Sequence, residues 1–345
     1  MKIAFFGTPQ FAADILSGLL SYPEIEIVLV VCQPDKAVWR KQELIATPVK
    51  QVALSHNIEV LQPASLKRDR SFETSLRLLN LDFILVVAYW KIIPKSILEI
   101  PKYGCINLHG SILPYYRWAS PVQAALRDGL SETGLTTMYM SERMDEWDIL
   151  QIAKIKVDKV DRSPDIFEKF VDIGPELLRD TLLGVQRWEI VWVPQDHSEA
   201  TYCGKISKED GEISFQKQSA EAIYNLYRAY TPWPWIYSYY QGKRFVIEVC
   251  FVYQDTSIQL SPTRGKSELQ SELQDSTSSL LAGENWERCL VDIGLFQKIW
   301  KNRYWIMCED KKFLIVTQVK LEGKKSMDIA SFVNGNKEVL EYRFD

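Results

Sequence analysis

From the N-terminus to about position 190, short apolar runs alternate with stretches of helical periodicity. "KIAFF" (2–6) leads through the turn "GTP" into a helical pattern from Gln10 to Ser21. Then come "IEIVLVV" (25–31), a polar loop, a helix around 48–56, "IEVL" (58–61) and a helix across 71–80. "FILVVAY" (83–89), "GCINL" (104–108) and "GLTTMYM" (134–140) are further strands, helical periodicity returns at 164–187, and "VWVPQD" (191–196) closes the series. Continuous apolar strands separated by helices predict an α/β fold with a doubly wound, mostly parallel, Rossmann-like sheet. After "SKEDGEISF" the pattern changes. Apart from a helical stretch at 219–229, segments such as "RFVIEVCFVY", "CLVDIG", "RYWIMC" and "KFLIVTQVKL" predict a C-terminal OB-like β-barrel. The Ser-, Gln- and Glu-rich stretch 254–288 reads as a flexible solvated loop. The expected organisation is a first domain over 1–189, a linker over 190–206 and a second domain over 207–345.

Composition narrows the class. A chain of 345 residues has room for two packed domains, and 46% hydrophobic with 25% charged residues is ordinary for a globular protein. No apolar run approaches the ~18 residues that span a bilayer, so no membrane partner is expected. Six cysteines without a CxxC pair imply reduced thiols and a cytoplasmic location. Three histidines without ligand spacing offer no metal site. A net charge of −4 does not mark a nucleic-acid binder. The "GTP" turn has neither the GxGxxG nor the GxxxxGK[ST] spacing and is not a nucleotide motif.

Candidate chemistry concentrates where "GCINL" runs out. Asn107 and His109, at i and i+2 of a strand end, project to one side. In open parallel sheets ligands bind beyond the carboxyl ends of strands. An amide beside an imidazole suits a carbonyl addition, the first holding a developing oxyanion and the second moving a proton. The same pair also serves ordinary turns, and spacing alone leaves both readings open.

The stretch "INLHGSILPYYRWASPVQAAL", continued through "TGLTTMYMSERMDEWDIL", resembles the signature of the formyltetrahydrofolate-dependent formyltransferases. That signature is Asn-x-His, a Ser-Leu-Leu-Pro-type turn, and an Asp some way downstream, here Asn107, His109, Ser111-Ile112-Leu113-Pro114 and Asp145. Within this superfamily, "FFGTPQFA", "VVCQPDK", "VVAYWKIIP", "ATYCGKISKEDGEI" and "YRAYTPWPW" are similar to the methionyl-tRNA formyltransferase family, and the likeness is weakest over 254–300. The resemblance implies a monomeric cytoplasmic enzyme that moves formyl from 10-formyltetrahydrofolate to the α-amine of methionyl initiator tRNA, without a metal. It implies that Asn107 donates to the oxyanion, and that His109, oriented by Asp145, carries a proton to the departing folate nitrogen. It places Ser111, Ile112, Leu113 and Pro114 on one wall of the folate site and Tyr89 and Ile92 in the loop against the pteridine. Lys36, Arg40 and Lys41 would reach the acceptor end of the tRNA, with Lys205, Lys208, Lys243, Arg244, Lys311, Lys312, Lys324 and Lys325 lining a phosphate-tracking face. Two alternatives stay open: a tRNA-binding homologue without catalysis, or a sugar-nucleotide or glycinamide ribonucleotide formyltransferase. The latter would not need "SKEDGEI…YRAYTPWPW".

Tryptophan departs from that pattern. Trp39, Trp90, Trp118, Trp147, Trp188 and Trp235 all stand where the family motifs carry glycine. The 11 Trp are many and the 16 Gly are few for 345 residues, where glycine is usually ~7%. Glycine in such loops supplies φ > 0 or close backbone approach, and tryptophan supplies neither. The pattern predicts UGA codons that the cell reads as glycine. Genuine tryptophans in a diverged homologue are the alternative, with weakened folate binding.

Overall fold

In the computed structural model, which describes residues 1–38, 43–67, 69–253, 293–300 and 303–345, the chain divides into two units, Met1–Ile206 and Ser207–Asp345. The first runs β1 (Lys2–Gly7), α1 (Gln10–Leu19), β2 (Glu26–Val31), β3 (Lys36–Val38), β4 (Glu43–Ile45), α2 (Pro48–Ser55), β5 (Glu59–Leu61), α3 (Arg70–Leu78) and β6 (Phe83–Val87). It continues α4 (Lys95–Leu98), β7 (Cys105–His109), β8 (Arg117–Trp118), α5 (Pro121–Arg127), β9 (Glu132–Tyr139), β10 (Ile149–Lys156), α6 (Ser163–Gln186) and β11 (Tyr202–Cys203).

The main sheet has the order β10-β9-β7-β6-β1-β2-β5. From β7 to β5 every pairing is parallel, as continuous apolar runs require; all five residues of β6 are buried. β9 then runs antiparallel to β7, and β10 antiparallel to β9. Along β10, residues 151, 153 and 155 are less exposed than 152, 154 and 156, so one face of this edge strand is turned to solvent. Gly7 ends β1 for want of space, because a Cβ there would lie 2.8 Å from Ala12 Cβ and 2.9 Å from the Val87 carbonyl. Its role is close packing.

Residues 190–206, expected as a linker, are stitched to the first unit. Ile149 and Val193 exchange both backbone hydrogen bonds at 2.9 Å, and β11 pairs in parallel with β8. Polar backbone laid along a folded surface must find partners, and here it finds them on strands.

The second unit contains α7 (Ala220–Tyr230), β12 (Ile236–Tyr240), β13 (Lys243–Val252), β14 (Phe296–Trp300), β15 (Arg303–Met307), β16 (Phe313–Leu321), β17 (Met327–Asp328) and α8 (Ile329–Gly335). Its antiparallel sheet has the order β12-β13-β16-β15-β14, with β17 on β16. Phe245, Phe332, Phe344 and Tyr240 form an aromatic core against it. The loop expected over 254–288 lies outside the described residues.

Four of the six tryptophans singled out from the sequence occupy left-handed backbone: Trp90 (φ 60°), Trp118 (φ 87°), Trp188 (φ 61°) and Trp235 (φ 69°). Trp147 does not, and Trp39 lies outside the described residues. Trp188 shows the local reason. It follows the C-cap of α6, donates from its N–H to the Val185 carbonyl (3.1 Å), and is followed by Glu189 N–H on the Gly184 carbonyl (2.8 Å). That bond pair is a Schellman motif, whose left-handed residue is normally glycine.

Candidate active site

β7 lies between β6 and β9, with Val86 beside Asn107 on one side and Thr136 beside His109 on the other. Its carboxyl end is therefore central in the sheet, where ligands gather in folds of this kind. Asn107 is half-buried, and its side-chain amide has no hydrogen-bond partner among the described residues. His109 is 6% exposed. One ring nitrogen, Nε2, lies 2.9 Å from the Tyr116 carbonyl, which only accepts, so Nε2 carries a proton. The other, Nδ1, sits 3.7 Å from Asp145 Oδ2. That separation is beyond hydrogen-bonding range but close enough for one charge to feel the other.

Asp145 is reached through a loop after β9 and is itself left-handed (φ 57°), a conformation that aspartate tolerates. Its Oδ2 accepts from the Trp118 N–H at 2.8 Å. Its carbonyl, and that of Trp147, accept from Gln195 Nε2 at 3.0 and 2.6 Å. The structure thus brings Asn107, His109 and Asp145 to one strand end.

The "SILP" turn is fixed from beneath. Thr136 Oγ1 donates to the Ser111 carbonyl (2.6 Å) and accepts from the Leu113 N–H (3.2 Å), while Ser111 Oγ donates to the Tyr115 carbonyl (2.6 Å). Ser111 and Leu113 are buried; Ile112 and Pro114 are half-buried. Tyr89 and Ile92 do not share an environment. Tyr89 is 1% exposed and packs edge-on against Phe6 in the core, where burial pushes its phenol well above the usual range. Ile92 is exposed. Lys36 opens β3, and Arg40 and Lys41 lie outside the described residues. Sequence reading missed Arg117, Gln195 and Thr136, polar residues buried behind the strand end that no periodicity singles out.

A doubly wound sheet with an amide, an imidazole and a carboxylate at a central strand end has the groups that a transfer to or from a carbonyl requires. The chain belongs to the formyl transferase family: residues 1–182 match the N-terminal "Formyl transferase" domain and residues 205–337 match "Formyl transferase, C-terminal domain". The relatives it resembles include methionyl-tRNA formyltransferases from Lachnospira eligens and Caldicellulosiruptor saccharolyticus. The first is 37% identical over 98% of this chain and 97% of that protein; the second is 47% identical over 70% and 77%. Among solved structures, the N-formyltransferase from Helicobacter canadensis in complex with folinic acid and dTDP-3-aminofucose superposes with TM-score 0.60 at 14% identity. The superposition covers 92% of this chain and 98% of that one. At that identity the likeness is one of fold.

Proposed function

We propose that the chain transfers the formyl group of 10-formyltetrahydrofolate to the α-amine of methionyl initiator tRNA, in the cytoplasm, with Asn107, His109 and Asp145 as catalytic residues. The observation that supports it is the Asn107 amide, unpartnered among the described residues, beside a His109–Asp145 pair at the end of β7. The unprotonated amine attacks the formyl carbon, a C–N bond forms and the carbonyl pair moves onto oxygen. The Asn107 amide N–H is the donor for that oxyanion. Because Nε2–H of His109 is committed to Tyr116, Nδ1 is the ring atom left to exchange a proton. It takes the proton the amine sheds and returns it to the folate nitrogen as the old C–N bond breaks. Asp145, 3.7 Å away, stabilises the imidazolium formed in between. Tetrahydrofolate leaves with the hydrogen that replaces formyl.

Ser111, Ile112, Leu113, Pro114 and Ile92 serve the folate, and the Thr136 bonds hold the turn that carries the first four. Tyr89, buried against Phe6, anchors the start of the loop that carries Ile92. Lys36, Arg40 and Lys41 serve the tRNA acceptor end, and the exposed Lys205, Lys208, Lys243, Lys311, Lys312, Lys324 and Lys325, with the half-buried Arg244, contact phosphates. The test offers the purified protein and 10-formyltetrahydrofolate two acceptors, methionyl initiator tRNA and an amino-sugar nucleotide. Formyl on the tRNA alone is expected. Transfer to the sugar nucleotide alone, or to neither, overturns the proposal.

A further inference from the structure

Three consecutive residues beside the catalytic end of β7 each hold a different part of it. The Tyr116 carbonyl accepts from His109 Nε2 (2.9 Å), and the Trp118 N–H donates to Asp145 Oδ2 (2.8 Å). Between them, the Arg117 side chain runs inward and is fully buried. A guanidinium removed from water is costly unless compensated. Among the described residues no carboxylate pairs with Arg117. Its Nε and Nη2 donate instead to the amide oxygen of Gln195 (3.1 and 2.7 Å), Nη2 also to His197 Nδ1 (3.1 Å), and Nη1 to the Tyr202 hydroxyl (3.5 Å). Gln195 is 6% exposed, and its amide nitrogen spends both hydrogens on the Asp145 and Trp147 carbonyls. The 116–118 stretch is fixed in turn by Thr201 and Cys203: Tyr116 N–H donates to Thr201 Oγ1 (2.8 Å), Arg117 N–H to the Thr201 carbonyl (2.9 Å) and Ala119 N–H to the Cys203 carbonyl (3.1 Å).

We propose that Arg117 and Gln195 are positioning residues for formyl transfer: the buried guanidinium orients the Gln195 amide, which pins the loop carrying Asp145 and so sets its separation from His109. The proposal rests on the catalytic reading of Asp145. The bonds from residues 116–118 and Gln195 to this loop use the Gln195 amide, the Asp145 carboxylate and backbone groups, so the indoles at 118 and 147 do not enter them. A buried arginine facing a glutamine has its oxygen fully used, which forces the two amide hydrogens toward the loop; a glutamate would satisfy Arg117 better but could not hold the carbonyls.

Gln195→Glu separates these roles, since it keeps shape and the Arg117 contact while deleting both donors. Formylation of methionyl-tRNA is measured for Gln195→Glu, Asp145→Asn and the double variant, each checked by circular dichroism; Gln195→Met replaces Gln195→Glu if the latter does not fold. The expected result is a kcat about 10- to 100-fold lower for Gln195→Glu with KM for both substrates within about twofold, the signature of a displaced catalytic group. The double variant should be no slower than Asp145→Asn alone. An unchanged kcat in the glutamine variant, a loss carried in KM, or losses that multiply would overturn the proposal. Full activity in Asp145→Asn would instead overturn the catalytic reading on which it rests.

Backbone geometry carries a second inference by itself. Among the described residues, eleven non-glycine residues have φ in the left-handed region, and four of them are tryptophan. Tryptophan is only 11 of 345 residues, and a bulky side chain there is a genuine outlier. Trp90 and Trp188 are 69% and 79% exposed, so no buried indole contact favours them. We infer that positions 90, 118, 188 and 235 are glycine in the protein the source cell makes, from UGA codons. Mass spectrometry of peptides from the native protein, read beside the gene, tests this. UGA codons with glycine masses at all four positions, and UGG with a tryptophan mass at Trp233, are expected. UGG codons at the four positions, or tryptophan masses there, overturn the inference.

Discussion

Replacing Trp188 by glycine should stabilise the first unit, and the amount can be worked from its surroundings. The residue holds φ 61° at the left-handed position of a Schellman motif, which costs an L-residue roughly 1–2 kcal/mol. Glycine removes that strain but loses more chain entropy on folding, returning about 0.4–1 kcal/mol. At 79% exposure the indole has little burial to lose. The net expectation is a gain of about 0.8 kcal/mol at the middle of the two ranges, and of at most about 1.6 kcal/mol. Trp188→Ala is the control, since alanine shares the left-handed penalty and should change stability little. Urea unfolding followed by far-ultraviolet circular dichroism reads the midpoint with the slope unchanged, independently of the lost fluorophore. A glycine variant no more stable than the alanine variant would refute the reasoning.

Other expectations follow from the same geometry. Thr136→Val strips the Ser111 carbonyl and Leu113 N–H of their buried partner; it should cost about 2–4 kcal/mol in thermal unfolding and raise KM for the folate more than for tRNA. An unchanged folate KM would separate the turn from the folate site. Asp35 is held below the usual carboxylate range by hydrogen bonds from Lys50 and Gln62. A depressed folded-state value gives stability that is present above the unfolded value of ~3.9 and lost as pH falls through the folded one. Stability against pH, compared between the wild type and Asp35→Asn, should therefore be flatter in the variant below about pH 5; superimposable slopes would contradict this. Trp118→Gly should release backbone strain but give up the ring contact with Tyr202 at 4.6 Å, leaving stability nearly unchanged. If folate affinity also stays unchanged, the indole does not crowd the site.

Periodicity and motif revealed different things about this chain. The unbroken apolar runs of β1, β2 and β6 announced a parallel sheet, because strands covered on both faces have no polar side to show. The antiparallel turn at β9 depended on which neighbour each strand chooses, a tertiary matter that one strand's pattern does not encode. Asn107 and His109 were legible because i and i+2 at a strand end share a side; Asp145 needed the motif, since a loop aspartate looks like any cap. Arg117 and Gln195 were invisible for a physical reason. A buried arginine is recognised only by the partners that make its burial tolerable, and those lie 78 and more positions away. Beyond 191–196, the pairing within residues 190–206 is the two-residue β11, too short to show a periodicity of its own.

The central claim is that the group at the end of β7 performs the formyl transfer. It is tested most directly by single-turnover transfer of labelled formyl from 10-formyltetrahydrofolate to methionyl initiator tRNA, comparing the wild type with His109→Ala and Asn107→Ala at saturating tRNA. The account predicts transfer by the wild type, with rates at least about 100-fold lower in each variant and tRNA binding retained. A His109→Ala rate equal to that of the wild type would contradict it.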